Sequence, residues 1–112
     1  MPKPLIRIVT MTFRPECAAA FVQLFDSVSD RIRRSPGCRH LTLLRDVDHP
    51  ARFTTYSVWD SQDHLDDYRA TTLFETTWKE TKSMFAEPPV ATSYVVERSD
   101  GAITSNQPLA GT

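Results

Sequence analysis

Apolar side chains on both faces of the first predicted strand constrain this chain more than any other feature. Residues 4–14 (PLIRIVTMTFR) are rich in β-branched and apolar residues, a composition that favours a strand. One alternating set is Leu5, Val9, Met11 and Phe13 with Arg7 among them, and the other is Ile6, Ile8, Thr10 and Thr12. A strand with two apolar faces is typical of a sheet that is covered on both sides.

The rest of the chain predicts helices and strands that complete the order β-α-β-β-α-β. The predicted elements are a strand over 4–14, a helix over 15–34, strands over 38–46 and 53–59, two helical segments between 61 and 87, and a strand over 90–98. Pro15 fits the first turn of a helix, Ser-Pro-Gly at 35–37 ends that helix, and Pro88-Pro89 ends the last one. This order predicts an α+β, ferredoxin-like fold with an antiparallel sheet.

The length of the chain predicts a single domain followed by a short tail. A chain of 112 residues is long enough for one hydrophobic core. We place the domain at residues 1–98 and expect residues 99–112, which are polar and end in Pro-Leu-Ala-Gly-Thr, to form a disordered tail.

Composition excludes several classes of function. The 13 Lys and Arg residues nearly balance the 14 Asp and Glu residues, so the net charge of −1 gives no basic surface for nucleic acid. The 3 glycines are too far apart to build a phosphate-binding loop. No apolar run is long enough to span a membrane, and the N-terminus does not resemble a signal peptide. We therefore expect a cytoplasmic protein with no nucleic-acid or membrane partner.

The two apolar faces of the strands also predict an assembly. In a ferredoxin-like fold the helices cover one face of the sheet and leave the other face open. A large apolar surface that stays exposed normally marks an interaction site. We therefore expect a homodimer in which the open sheet faces pack against each other.

A set of motifs in the middle of the chain resembles the antibiotic biosynthesis monooxygenase (ABM) superfamily. The motifs are Gly37-Cys38, Leu41-x-Leu43-Leu44, Phe53-x-x-Tyr56-x-x-Trp59-x-Ser61-x-x-x-Leu65, Tyr68-Arg69 and Leu73-Phe74. The resemblance covers roughly residues 5–97. It implies a dimeric α/β-barrel formed by the sheets of two chains. Members of the family include cofactor-independent quinol and anthrone monooxygenases, heme-degrading enzymes and small-molecule isomerases.

The resemblance to the heme-degrading members is limited to the region around Trp59. Those proteins carry a second tryptophan nine residues after the one that matches Trp59, and a heme-ligating histidine ten residues further on. The matching positions here are Tyr68 and Trp78. Heme-degrading and polyketide-oxidising members also use an asparagine, whereas Asn106 is the single asparagine of this chain. Any activity here must therefore use other polar groups.

Residues of several types could support oxygenation without a cofactor. Such a reaction needs a base, a donor that stabilises the substrate anion, and a dry apolar pocket. His40 is the candidate base, because an imidazole titrates near neutral pH. Tyr56, Tyr68 and Arg45 are candidates to stabilise the anion, and Arg7 is a further cation in an apolar strand. The candidate ring-binding residues are Phe13, Phe25, Trp59, Phe74 and Trp78.

Each of these residues also has a structural interpretation. The aromatic residues could simply form the core, His40 could lie at a sheet edge or dimer seam, and Arg7 could pair with Glu97. The 3 histidines and 2 cysteines are not spaced as metal ligands, so we expect no metal.

The sequence favours a cofactor-independent monooxygenase that acts on a quinol- or anthrone-like small aromatic molecule. Two alternatives remain: a non-catalytic barrel that binds small molecules or responds to stress, and an isomerase that uses the same pocket without O₂.

Overall fold

A computed structural model describes residues 3–100, which form one four-stranded antiparallel sheet and three α-helices. The elements are β1 (Leu5–Thr12), α1 (Ala18–Arg33), β2 (Cys38–Arg45), β3 (Arg52–Trp59), α2 (Gln62–Arg69), α3 (Thr72–Lys82) and β4 (Val90–Val95). The predicted α+β, ferredoxin-like order is therefore confirmed. A 3₁₀ turn at Pro15–Cys17 precedes α1, so the regular α-helix begins at Ala18 rather than at Pro15.

The strands lie in the order β2-β3-β1-β4, and every neighbouring pair is antiparallel. The first strand is central, which agrees with its apolar composition. Arg7 of β1 lies opposite Ser57 of β3 on one side and Ser93 of β4 on the other. Because β2 and β4 are edge strands, the sheet of one chain is open and is not a closed barrel.

The two faces of the sheet have different surroundings. The three helices pack on the face that we call the covered face, which carries Leu5, Arg7, Val9, Met11, Leu41, Leu43, Phe53, Thr55, Ser57 and Trp59. The opposite face, which we call the open face, carries Ile6, Ile8, His40, Thr42, Leu44, Thr54, Tyr56, Val58, Thr92 and Tyr94. The three helices of residues 3–100 lie on the other side of the sheet, yet Ile6 and Val58 of the open face are only 9% and 2% exposed.

The core consists of two clusters between the covered face and the helices. In the first cluster Phe13 stacks on Phe21 with ring centroids 4.2 Å apart, and Phe53 packs against both rings. In the second cluster Trp59 and Leu65 pack together, and Tyr68 lies against them. The two clusters fix α1 and α2 over different parts of the same sheet face.

The helices and the C-terminal tail bear on two further expectations from the sequence. None of the helices within residues 3–100 is long and apolar enough to cross a membrane. The tail predicted at residues 99–112 lies almost wholly outside the described residues.

Candidate functional site

A cavity of about 210 Å³ lies between the covered face of the sheet and the three helices. Its lining includes six aromatic rings: Phe21, Phe25, Trp59, Tyr68, Phe74 and Trp78. Residues of both core clusters contribute, so the cavity occupies the space between them. Arg69 and Ala91 line the cavity and are also exposed, so the cavity reaches the surface beside both residues.

Four of the aromatic rings form a continuous wall. Tyr68 stacks on Trp59 with centroids 5.0 Å apart, and its edge meets Phe74 at 5.3 Å. Phe74 in turn stacks on Trp78 at 6.0 Å. Because α2 and α3 follow each other closely in the chain, they place these rings side by side. Such a wall suits a flat aromatic ligand.

The floor of the cavity carries one charged residue. Of the described strand residues that line the cavity, Arg7 alone is charged, and it lies in a row with Ser57 and Ser93 across three strands. Its guanidinium donates a hydrogen bond to Ser93 Oγ at 3.0 Å. Trp59 Nε1 donates to Ser57 Oγ at 3.0 Å, so the buried indole nitrogen is satisfied. The next row along the sheet contains Val9, Thr55 and Ala91 and has no charge.

The electrostatics of the cavity favour an anion. Burial lowers the pKa of the Arg7 guanidinium, the nearby positive charge of Arg69 lowers it further, and Asp66 acts in the opposite direction. Burial, reinforced by Cys38, raises the pKa of Tyr68 to about 12. The Tyr68 hydroxyl is therefore protonated at neutral pH and can donate a hydrogen bond, but it cannot serve as a base there.

The structure brings together four of the five predicted ring-binding residues. Phe25, Trp59, Phe74 and Trp78 all line the cavity. Phe13 does not line it; its ring is packed between Phe21, Phe53 and Phe85 in the first core cluster.

The predicted catalytic residues lie on opposite sides of the sheet. Tyr68 lines the cavity, whereas His40 and Tyr56 lie on the open face with their rings 5.5 Å apart. The His40 ring is hydrogen-bonded to Thr42 through Nε2, and its buried Nδ1 has no partner among the described residues. Burial lowers the pKa of His40, and the positive charge of Arg33 adds to that effect. His40 and Tyr56 therefore do not meet a ligand held in the cavity of the same chain.

The two remaining predicted cations also have definite positions. The Arg45 guanidinium lies 5.0 Å above the ring of Phe53, at the exposed end of β2, and does not line the cavity. The ion pair considered between Arg7 and Glu97 is absent from residues 3–100, because Arg7 bonds to Ser93 and Glu97 pairs with Arg98.

Three polar residues of the site were not predicted from the sequence: Ser57 and Arg69, which line the cavity, and Ser93, which bonds to Arg7. Two of them had a readable sequence signal. Ser57 is two residues before Trp59 in a strand, and strand alternation places both side chains on one face. Arg69 is four residues after the buried Leu65 in a helix, so both side chains lie on the same side of α2. Ser93 could be found only from the register between β1 and β4.

No metal centre is evident in the described part of the chain. Within residues 3–100, no group of three His, Cys, Asp or Glu side chains lies close enough to hold an ion.

The fold and the cavity together define a small ferredoxin-like α+β protein with an aromatic-lined cavity between its sheet and its helices. A family model described as "Antibiotic biosynthesis monooxygenase" matches residues 4–80. This match covers most of the sequence, and the chain therefore belongs to the antibiotic biosynthesis monooxygenase family. No curated protein sequence matches the chain at a significant level.

Solved structures of the family share this fold. A Nitrosomonas europaea protein named for the family has a TM-score of 0.82 and 20% identity, with 90% of this chain and 97% of the other covered. SnoaB from Streptomyces nogalater, named as a cofactor-independent oxygenase, has a TM-score of 0.80 and 17% identity, with 89% and 99% covered. A Bordetella bronchiseptica protein named for the family has a TM-score of 0.74 and 25% identity, with 82% and 95% covered.

Proposed function

We propose that this protein is a monooxygenase that acts without a cofactor on a quinol- or anthrone-like aromatic molecule. Membership of the antibiotic biosynthesis monooxygenase family supports the general reaction class. The fold that the chain shares with a cofactor-independent oxygenase is consistent with it. The observation that carries the proposal is the wall of stacked rings beside Tyr68 and Arg7 in one cavity.

In this reaction the bound aromatic molecule supplies the electrons. The substrate loses a proton to become an electron-rich anion, which passes one electron to O₂, and the two radicals then combine. For a substrate CH₂ group, one oxygen atom becomes the new carbonyl oxygen, and the other leaves as water with the two hydrogen atoms. The protein has to stabilise the anion and exclude bulk water.

The cavity offers groups for both tasks. Tyr68 donates a hydrogen bond to the substrate oxygen, and the positive charge of Arg7 favours the anion over the neutral form. This charge lowers the pKa of the substrate hydroxyl, so a water molecule at the mouth can accept the proton. The aromatic wall holds the ring and keeps water from its face. His40, which lies on the open face, is not used in this scheme.

We further propose that two chains pack through their open sheet faces. The open face presents Leu44 and Tyr94, which are 43% and 51% exposed, beside the half-buried Ile8. Apolar surface of this kind is stabilised when it is removed from water. The dimer would complete the barrel that the open sheet of one chain does not form.

Oxygen consumption tests the proposed reaction. Chelator-treated protein is given a panel of quinols, naphthols and anthrones, and uptake is corrected for autoxidation. We expect saturable, protein-dependent uptake that falls at least about tenfold in Tyr68→Phe, because one donor to the anion is lost. Tyr94→Phe, which removes a hydroxyl on the other face of the sheet, is the matched control and should retain the rate.

The same panel separates the alternatives. Protein-dependent conversion of a substrate under nitrogen would replace oxygenation by isomerase chemistry in the same cavity. Saturable binding with neither uptake nor conversion across the panel would contradict the enzymatic proposal and favour a non-catalytic binding barrel.

A further inference from the structure

The charges that line the cavity are not balanced. Arg7 and Arg69 both line it, whereas no Asp or Glu side chain does. Among residues 3–100 neither arginine forms an ion pair. Asp66 is the nearest acidic influence on Arg7, but its carboxylate accepts a hydrogen bond from Gln62 at 2.8 Å. The cavity therefore carries an excess of positive charge next to an apolar, aromatic surface.

The two guanidinium groups are held from different elements toward a common region. Arg7 extends from the sheet floor and is fixed by its hydrogen bond to Ser93 Oγ at 3.0 Å. Arg69 lies at the end of α2 with its guanidinium 5.8 Å from the ring centroid of Phe74. They are close enough for the charge of Arg69 to disfavour the cationic form of Arg7. An anion between them would remove this repulsion.

We propose that Arg7 and Arg69 form a carboxylate-binding site where the cavity reaches the surface, and that the ligand is an aromatic carboxylate. A guanidinium presents N–H donors in a planar fork that matches the two oxygens of a carboxylate. The rings of Tyr68, Phe74 and Trp78 continue from this site into the cavity, so an aromatic ring attached to the carboxylate would lie against them. This inference rests on the proposed function, because it assigns a ligand class to the same cavity.

The size of the cavity agrees with a ligand of this kind. A cavity of roughly 150 Å³ is sufficient for benzene, and the one described here is about 210 Å³ and reaches the surface beside Arg69. The cavity therefore has room for an aromatic ring system, with the charged group at the mouth.

Calorimetric titration with a pair of matched probes tests the inference. The probes are 2-naphthoate and 2-naphthamide, which have the same ring system and nearly the same shape but differ in charge. We expect the protein to bind 2-naphthoate at least about tenfold more tightly, because charge-assisted hydrogen bonds are stronger than neutral ones. We also expect the preference to fall as salt is added, since part of it is Coulombic.

Variants of the two arginines test whether they cause the preference for 2-naphthoate over 2-naphthamide. Arg7→Gln and Arg69→Gln should each reduce the ratio of the two affinities by about threefold or more, and the double variant should abolish it. Because Arg69 is exposed, its variant should fold normally even if Arg7→Gln does not. Arg34→Gln is the control, since Arg34 lies at the end of α1 in an exposed ion pair with Asp30 at 2.6 Å and should leave the ratio unchanged.

The possible results separate this inference from the proposed function. Equal affinity for the two probes, no binding of either, or a preference that survives in the double variant would overturn the carboxylate site. These titrations need neither O₂ nor turnover. A carboxylate preference without oxygen uptake would therefore support the site and refute the monooxygenase, and oxygen uptake without the preference would do the reverse.

Discussion

Gly37 lies where the loop after α1 meets the start of α2, and the structure explains why glycine stands there. Its φ of +81° is in the left-handed region, and a Cβ at this position would collide with the ring of His64. The carbonyl of Gly37 accepts a hydrogen bond from the Asp60 N–H at 2.8 Å. Ser61, which follows Asp60 in the chain, caps α2 because its side chain accepts a hydrogen bond from the N–H of His64. The Gly-Cys and Trp-x-Ser motifs therefore contact each other, although they are far apart in sequence.

Replacement of this glycine should destabilise the fold. We expect Gly37→Ala to lower the free energy of unfolding by about 2 kcal/mol or more, as left-handed backbone strain and overpacking add together. Urea unfolding measures the change. In a His64→Ala background the same substitution should cost less, because part of the collision is removed. Equal costs in the two backgrounds would show that the His64 ring plays no part.

The lowered pKa of His40 should make the stability of the protein depend on pH. Burial lowers its pKa below the ordinary value of 6.5, so the unfolded chain binds a proton more readily than the folded chain. The contribution of neutral His40 is therefore fully present above about pH 6.5 and is lost as the pH falls toward the folded-state pKa. We expect the parent protein to lose more stability than His40→Gln between about pH 7.5 and about pH 5. Parallel losses in thermal unfolding would contradict this expectation.

The candidate site was harder to predict than the fold, and His40 and Tyr56 show why. Strand alternation alone places Tyr56 and Trp59 on opposite faces of β3, because they are three residues apart. For His40 the position depends on a register shift between Cys38 and His40, which leaves Cys38 opposite Trp59 on the covered face and His40 opposite Val58 on the open face. A bulge of this kind has no clear sequence signal.

At the scale of elements, local signals were sufficient for most boundaries. The predicted strand at 53–59 matches β3, and the strand at 38–46 matches β2, because a turn and alternating residues define both. The last strand was predicted as 90–98 but ends at Val95. Only Val96 among the remaining residues is apolar, since Glu97 and Arg98 are charged, and β1 offers no further partner beyond Leu5, which pairs with Val95.

Helix α3 gives a prediction in which one substitution has opposite effects at two positions. Thr71 caps the helix, since its side chain accepts a hydrogen bond from the Phe74 N–H at 3.1 Å. Thr76 is exposed inside the helix and donates back to the Thr72 carbonyl. We expect Thr71→Ala to lower the free energy of unfolding by about 1 kcal/mol and Thr76→Ala to raise it by about 0.5 kcal/mol. Chemical unfolding of both variants measures the signs, and destabilisation by Thr76→Ala would contradict the helix-propensity argument.

At the scale of the whole molecule, the sheet separates two kinds of surface. The covered face carries the cavity, and its polar groups belong to one row around Arg7. The open face has no helix of the described chain against it and presents apolar residues up to the exposed edge strand β4. Ligand binding and self-association can therefore be changed independently, because no side chain of a strand reaches both faces.

A charge introduced on the open face should weaken the dimer, whereas the same charge at an exposed apolar position in a turn should not. Tyr94 is 51% exposed on the open face, whereas Val47 is 95% exposed in the turn between β2 and β3. Both side chains can become arginine without disturbing the core of a single chain. If two open faces pack together, Tyr94→Arg places an unpaired charge in the contact and weakens the dimer at least about tenfold, while Val47→Arg leaves it intact. Sedimentation equilibrium measures both, and the dimer proposal fails if the parent protein sediments as a monomer at micromolar concentration or if Tyr94→Arg dimerises as tightly as the parent.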